Sequence, residues 1–271
     1  MKFFAFQNYI RNWYRLYGRH TLPWRLTTDP YHILVSELML QQTQVERVIP
    51  KYLAFLKQFP TVEALSLAKL SDVLIAWQGL GYNRRAKYLW QTAKQIADGG
   101  GVFPSTAREL MLLPGIGPYT AAAVTCFSFN QNTTLIETNV RTVFLCHFFP
   151  AKEKVGDSEL IPLIAQSIDE NSPREWYWAL MDYGSFLKKN MPNPNRASHQ
   201  YNKQSPFAGS RRQVRGEIIR LLSDKSSMTI TDLHKTIQSN PEYLEVALKS
   251  LIEEGFVRDV RGSYQLSEDS R

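Results

Sequence analysis

The sequence predicts a mostly α-helical chain that ends in a small winged-helix-like domain, and three observations predict it. Apolar residues recur at helical spacing through most of the first 189 residues, with little strand signal. A stretch rich in Pro, Asn and Ser, 190–210, then breaks the pattern as a loop or linker. Beyond it, three helical stretches precede two short strand-like runs, FVRDV and SYQL, joined by an Arg-Gly turn.

Each element has a local reason. Phe3 to Tyr17 is amphipathic, and Pro30 to Gln41 begins with Asp29 in capping position and Pro30 at the first helical residue. Val45 to Phe59 follows, Thr61 opens the next helix, and Ser71 caps Asp72 to Gln78 before a Gly-Leu-Gly turn. Arg84 to Asp98 ends at three glycines, and Pro104 to Leu113, Tyr119 to Phe129, Thr138 to Phe148, Ser158 to Ile168 and Pro173 to Leu187 continue the series. Arg211 to Ser223, Thr231 to Gln238 and Pro241 to Glu254 form the last three helices.

At 271 residues and 44% hydrophobic content the chain can bury a real core, which excludes a disordered or fibrous protein. No apolar run approaches a membrane span, and the N-terminal MKFFAFQNYIRNW lacks a small-residue cleavage site, so a soluble, intracellular, cytoplasmic protein is expected. The net charge of +7 favours polyanionic partners. From Gly209 onward ten Lys and Arg balance ten Asp and Glu, so the whole excess lies on the first three-quarters of the chain. The two cysteines, Cys126 and Cys146, sit in apolar surroundings and read as small core residues, and no metal-ligand cluster is visible.

The most informative segment is LLPGIGPYTAAAV, 112–124. Gly115 and Gly117 permit a tight turn between two helices whose outward-pointing N–H groups suit a phosphate oxygen, a helix-hairpin-helix; taken alone, an ordinary turn between packed helices is the competing reading. Around it stand SELMLQQTQVERVIP, WQGLGYNRRAKYL and TTLIETNVRTVF. Together, in this order and spacing, these segments resemble the MutY-type adenine DNA glycosylases of the helix-hairpin-helix (HhH-GPD) superfamily, from Leu22 of LPW through Gly184 of LMDYG.

The resemblance implies a helix-hairpin-helix DNA glycosylase fold of two helical lobes. It assigns 1–189 to the glycosylase domain, with 30–135 as the hairpin-containing lobe and 1–29 plus 136–189 as the second. Residues 190–210 then take the place of the family's iron–sulfur segment, and 211–271 form the winged-helix-like domain. The partner implied is double-stranded DNA with a mispaired or damaged base, met by a monomer. A base cannot be cut from its sugar inside the duplex, so the nucleotide must be extruded and the gap plugged. Gln41, Gln42 and Tyr82 match the family's wedge positions, although GLGY alone also allows a core aromatic. Thr43, Arg84, Arg85, Leu113, Gly115, Ile116, Gly117 and Thr120 complete the implied DNA-binding set, and Lys188, Lys189, Arg196 and Lys203 are further phosphate candidates.

For chemistry, Glu37 matches the family's general acid, in a helix whose apolar neighbours would raise a carboxyl pKa. Glu137 stands where the family has its catalytic aspartate; it is one methylene longer, and it also reads as a helix N-terminal acid facing the dipole. Asn139 joins the implied catalytic group, as does Tyr119, which occupies the position of the lysine of bifunctional relatives. A phenol forms no Schiff base, so a monofunctional enzyme leaving an abasic site is expected.

Two departures follow. After LMDYGSFLKKN the family usually carries four cluster cysteines, and NMPNPNRASHQYNKQSP has none, so no [4Fe–4S] cofactor is expected; a structural monovalent cation at the hairpin is the one remaining cofactor expectation. The family's usual 8-oxoguanine-sensing C-terminal domain is replaced by the winged-helix-like segment. Its expected recognition helix carries Glu242, Glu245, Glu253 and Glu254 against Lys249, which reads as a packing or partner-binding module, while Arg211, Arg212 and Arg215 offer auxiliary DNA contact. On this reading truncation after Ser210 keeps excision. The function expected is removal of adenine mispaired with guanine or 8-oxoguanine. The alternatives are a thymine or uracil mismatch glycosylase and a catalytically weak mismatch-binding protein.

Overall fold

A computed structural model describes residues 3–150, 152–202, 210–238 and 241–268. The helices are α1 (Phe3–Tyr17), α2 (Pro30–Leu40), α3 (Val45–Gln58), α4 (Val62–Ser66), α5 (Leu70–Trp77), α6 (Arg84–Asp98) and α7 (Ala107–Leu110). They continue as α8 (Pro118–Phe129), α9 (Thr138–Phe148), α10 (Asp157–Ser167), α11 (Pro173–Asn190) and α12 (Arg211–Lys225). Strand β1 (Met228–Thr229), α13 (Ile230–Thr236), α14 (Pro241–Glu253), β2 (Val257–Val260) and β3 (Ser263–Leu266) complete the order. The caps form where the side chains allow: Asp29 accepts from the Tyr31 and His32 amides, and Thr106 with Glu109 makes a reciprocal capping box at α7.

The chain divides into two compact units, Met1–Glu37 with Phe103–Lys203 and Leu38–Val102 with Gln204–Arg271. This differs from the lobes drawn on the sequence at the start of α2, where 30–37 group with 1–29, and at two larger places. The hairpin segment 103–135 belongs with the chain's first residues and α9 to α11, because α11 reaches it directly. Tyr177 donates its hydroxyl to the Thr133 carbonyl at 2.8 Å and accepts from the Leu135 amide at 3.0 Å, and Arg174 bonds the Ser128 carbonyl. Aromatic packing fills this unit's core, with Phe6 edge-on to Phe144, Phe148 and Trp176.

The second difference is the C-terminal segment, which is part of the same unit as α3 to α6. Its own fold is three helices with an antiparallel sheet ordered β1-β3-β2, and β1 is a strand absent from the sequence pattern because it is two residues long. Val214, Ile218, Leu222, Leu244, Leu248, Leu251 and Phe256 are buried within it. Glu254, just beyond α14, takes Arg84 of α6 at 2.8 Å and Arg215 of α12 at 2.9 Å, and its carbonyl accepts from Lys87. The Glu268 carbonyl accepts from the Leu70 amide at 2.8 Å. Of the acidic residues, Glu254 thus has an internal use while Glu242, Glu245 and Glu253 stay exposed, as a packing module allows, and truncation after Ser210 would uncover α5 and α6.

Burial alone would raise the Glu254 carboxyl, but hydrogen bonds from Arg84, Arg215 and Ser250 outweigh it and hold the group at about 2. A carboxylate held low stabilises the folded state above its ordinary range and loses that contribution as pH falls through about 2. Glu254→Gln is therefore expected to cost about 1–2 kcal/mol at pH 7, discounted for the exposure of Arg84, and to converge on the wild type in acid. Urea unfolding at pH 7 and pH 2.5 measures this; equal stability at pH 7 would contradict the docking role.

Candidate active site

Helix α2 is almost wholly buried, with Tyr31, Ile33, Leu34, Val35, Leu38 and Met39 inaccessible. Glu37 lies among them and is only 7% exposed. Desolvation pushes its carboxyl up to about 7; the Tyr119 hydrogen bond opposes this, and the charge of Glu137 adds to it. The hydroxyl of Tyr119, the second residue of α8, donates to Glu37 Oε2 at 3.3 Å, and its own pKa lies far above the usual phenol range through burial and the two nearby carboxyls.

Glu137 caps α9. Its Oε1 accepts the amides of Asn139 at 2.7 Å and Val140 at 2.8 Å, while Oε2 accepts from Asn139 Nδ2 at 3.2 Å. These bonds favour the carboxylate, yet burial prevails and its pKa is raised; the half-buried Lys188 on α11 is among the charges that oppose the rise. Glu137 is thus the helix cap, and its charge raises the pKa of both Glu37 and Tyr119. Asn139 keeps its Oδ1 buried without a hydrogen-bond partner among the described residues.

Two supports carry no signal in the sequence beyond the edges of LPW and LMDYG. Arg25 grips Asp182 in a bidentate pair at 2.7 and 3.0 Å, and Arg19 adds its amide at 2.7 Å and its Nε at 2.8 Å. Burial would raise Asp182, but Arg25 and Arg19 hold it below the ordinary carboxylate range. Gly184 lets α11 press on α9, since a Cβ there would stand 2.1 Å from the Asn139 carbonyl oxygen. No larger residue fits without moving Asn139.

In the hairpin, Gly115 adopts φ +71°, which favours glycine, but Gly117 is extended at φ −85°. A Cβ on Gly117 would meet nothing within 4 Å, so the protein itself does not require glycine there; the open space in front of exposed amides suits a close-approaching ligand. Leu113 and Ile116 bury their side chains and present backbone alone, and Leu112 is the exposed residue of the turn. Thr120 is also buried, so its side chain is not a surface contact as the sequence suggested.

In the other unit, Arg85 requires a larger correction. Expected as a DNA contact, it is only 7% exposed and its guanidinium is bonded to the carbonyls of Leu38, Met39 and Gln41, of Leu80 and Gly81, and to Thr43 Oγ1. Its contacts satisfy the orphan carbonyls at the end of α2 and fix the 78–82 turn, and desolvation lowers its pKa to about 10. Gln42 and Tyr82 both have left-handed backbones, at φ 55° and 49°, and both are exposed. Gln41 is half-buried, and Arg84 is exposed but paired with Glu254. Lys189 and Arg196 are exposed; Lys203 lies outside the described residues.

A [4Fe–4S] cluster needs four thiolates, and the donor set does not fit one. Cys126 is buried in α8 with its thiol pushed up to about 12 by desolvation, and Cys146 contacts Met191 at 3.8 Å. The segment after α11 is held by direct hydrogen bonds instead. Buried Asn195 donates to Thr142 Oγ1 at 2.6 Å, and Val155 bridges Ala197 and His199 through backbone bonds of 2.7 and 3.1 Å. Among the described residues no helix is long and apolar enough to cross a membrane.

Residues 35–166 match the family of HhH-GPD superfamily base excision DNA repair proteins. An adenine DNA glycosylase of Mycolicibacterium smegmatis is 33% identical over 267 residues, covering 92% of this chain and 91% of that one. The chain belongs to the HhH-GPD superfamily. The adenine DNA glycosylase of Buchnera aphidicola from Baizongia pistaciae is 36% identical over 188 residues, which are 68% of this chain but 53% of that protein, so the chain spans about half the length of some relatives it matches. A solved thermostable thymine-DNA glycosylase superposes with a TM-score of 0.61 at 25% identity, over 71% of this chain and 90% of that one. An endonuclease III trapped on DNA shares the HhH-GPD fold at TM-score 0.56 and 15% identity.

The buried carboxyl leads to a stability expectation. A carboxyl raised to about 7 stabilises the fold fully below its ordinary range and loses that contribution as pH rises through about 7. Glu37→Gln should therefore match the wild type near pH 4.5 and exceed it at pH 8.5 by up to about 3 kcal/mol. Denaturant midpoints at the two pH values test this, and parity at pH 8.5 would show that Glu37 is not held in a desolvated site.

Proposed function

We propose that this protein is a monofunctional DNA glycosylase that hydrolyses adenine, mispaired with guanine or 8-oxoguanine, from its deoxyribose to leave an abasic site. The observation that carries the reading is Glu37, a carboxyl that keeps its proton in about half of the molecules at neutral pH because it is desolvated beside Tyr119. Adenine leaves poorly as an anion. Proton transfer from Glu37 to a ring nitrogen lets the base depart with the electrons of the broken C1′–N9 bond, and the sugar becomes an oxocarbenium-like cation.

Glu137 supplies the second carboxyl near that cation. Its hydrogen bonds to the Asn139 and Val140 amides keep it oriented although it is one methylene longer than aspartate. Water then forms the new bond to C1′ and its proton returns to Glu37, so the enzyme ends as it began. Tyr119 orients Glu37 and offers no amine, so the strand stays intact. The Gly115 and Gly117 amides would hold a backbone phosphate, and Gln41, Gln42 and Tyr82 would fill the gap left by the extruded nucleotide. The adenine glycosylase identity of the relatives supports the purine, and Glu37 does so independently, since pyrimidines leave more readily as anions.

The test is a panel of duplexes with A, T, U or hypoxanthine opposite G or 8-oxoguanine, treated with alkali after incubation. Strand breaks at A opposite G or 8-oxoguanine, appearing only after alkali and with no borohydride-trapped complex, are expected. Glu37→Gln should lose excision by at least about a thousandfold while duplex affinity changes little. Excision confined to T or U would assign the other base class, and tight mismatch binding without any cleavage would assign a binding protein.

A further inference from the structure

The tip of Tyr82 is held by the C-terminal segment. Arg212, two residues into α12, donates from Nη1 to the Tyr82 hydroxyl at 2.8 Å, with its guanidinium carbon 6.0 Å from the ring centre. The Arg85 guanidinium carbon stands 5.4 Å from the same ring centre. The tyrosine is 40% exposed and its backbone is left-handed, so its direction is not set by burial among apolar neighbours. Among the described residues that hold it are two arginines, one from α6 and one from α12.

Helix α12 is itself fixed where this matters. Arg215, one turn after Arg212 on the same face, donates to Glu254 and to Ser250, and Glu254 also takes Arg84, two residues after Tyr82. The chain of contacts therefore runs from the start of α6 through Glu254 and α12 back to the hydroxyl of Tyr82. A packing module would need the Glu254 junction alone. The added bond to an exposed phenol serves the phenol.

We infer that Arg212 is a positioning residue for Tyr82, and that the C-terminal domain takes part in opening the duplex by holding the intercalating ring upright. This rests on the reading of Tyr82 as the wedge. A charge-assisted hydrogen bond of this kind keeps the ring in one orientation before DNA arrives, so its loss slows the step in which the base pair is opened rather than the cleavage that follows.

The experiment uses the full chain as wild type, Tyr82→Phe, Arg212→Gln, the double variant and Tyr82→Ala. The readouts are 2-aminopurine fluorescence beside an A:G mismatch, which reports unstacking, single-turnover excision, and affinity for mismatched and matched duplexes at several salt concentrations. Tyr82→Phe removes the hydroxyl and leaves α12 untouched, so it reads the bond even if Arg212→Gln folds poorly. Tyr82→Phe and Arg212→Gln are each expected to slow unstacking and excision by about five- to tenfold, and the double variant by no more than either single. Matched-duplex affinity should stay within about twofold. Additive losses would overturn the proposal. So would an Arg212→Gln loss shared equally by matched and mismatched duplexes with the salt slope reduced by about one, the mark of a phosphate contact. If Tyr82→Ala is impaired while Tyr82→Phe and Arg212→Gln are not, the wedge reading stands and this proposal alone fails. If Tyr82→Ala unstacks DNA normally, both fail.

Discussion

The site depends on keeping a carboxylic acid out of water. A side chain that is 7% exposed on an otherwise apolar helix cannot carry full charge at neutral pH without a paired cation, and Glu37 has a phenol as its hydrogen-bond partner instead. A cation in that place would hold the group ionised and remove its proton. The nearby arginines are assigned elsewhere: Arg25 and Arg19 are bound to Asp182, which takes their charge in a buried network of its own. Desolvation that costs stability above pH 7 is thus the same feature that, on the proposed function, makes an acid available for the purine.

Around Glu37 the backbone is fixed by contacts that leave little slack. Gly184 allows α11 to touch the Asn139 peptide, Tyr177 ties down the 133–135 segment that leads to Glu137, and Glu137 closes the start of α9 with its own carboxyl. Positioning to within fractions of an ångström is what catalysis by two carboxyls requires, so these helix contacts bear on rate as well as on stability. In the other unit Arg85 plays the corresponding part. Its guanidinium joins the carbonyls at the end of α2 to those of the 78–82 turn, and so places Gln41, Gln42 and Tyr82 relative to one another.

Helical spacing and capping residues made the order of elements legible, and the motif set pointed to Glu37, Tyr119, Glu137 and the hairpin. What the sequence could not show was how a charged residue is used. Arg85 reads as a surface cation next to Arg84 because composition does not distinguish an arginine that meets phosphate from one that caps carbonyls. The use of Glu254, just beyond α14, is hidden for the same reason, since its partner Arg84 is 170 residues away in sequence. Asp182 and Gly184 lay inside a motif that marked the family without revealing that one neutralises Arg25 and the other clears Asn139. Lobe boundaries were illegible because α11 reaches back to the hairpin by side-chain bonds from Tyr177 and Arg174, which leave no periodic trace.

The most direct measurement is the pKa of Glu37 itself, by carbon NMR of side-chain carboxyls in glutamate-labelled protein, with Glu37→Gln to assign the signal. A titration centred at about 7 is predicted, set by desolvation in α2 and opposed by the Tyr119 hydrogen bond. A carboxyl that titrates in the ordinary range below about 5 would be ionised at neutral pH, and Glu37 could not then be the proton donor to the departing base.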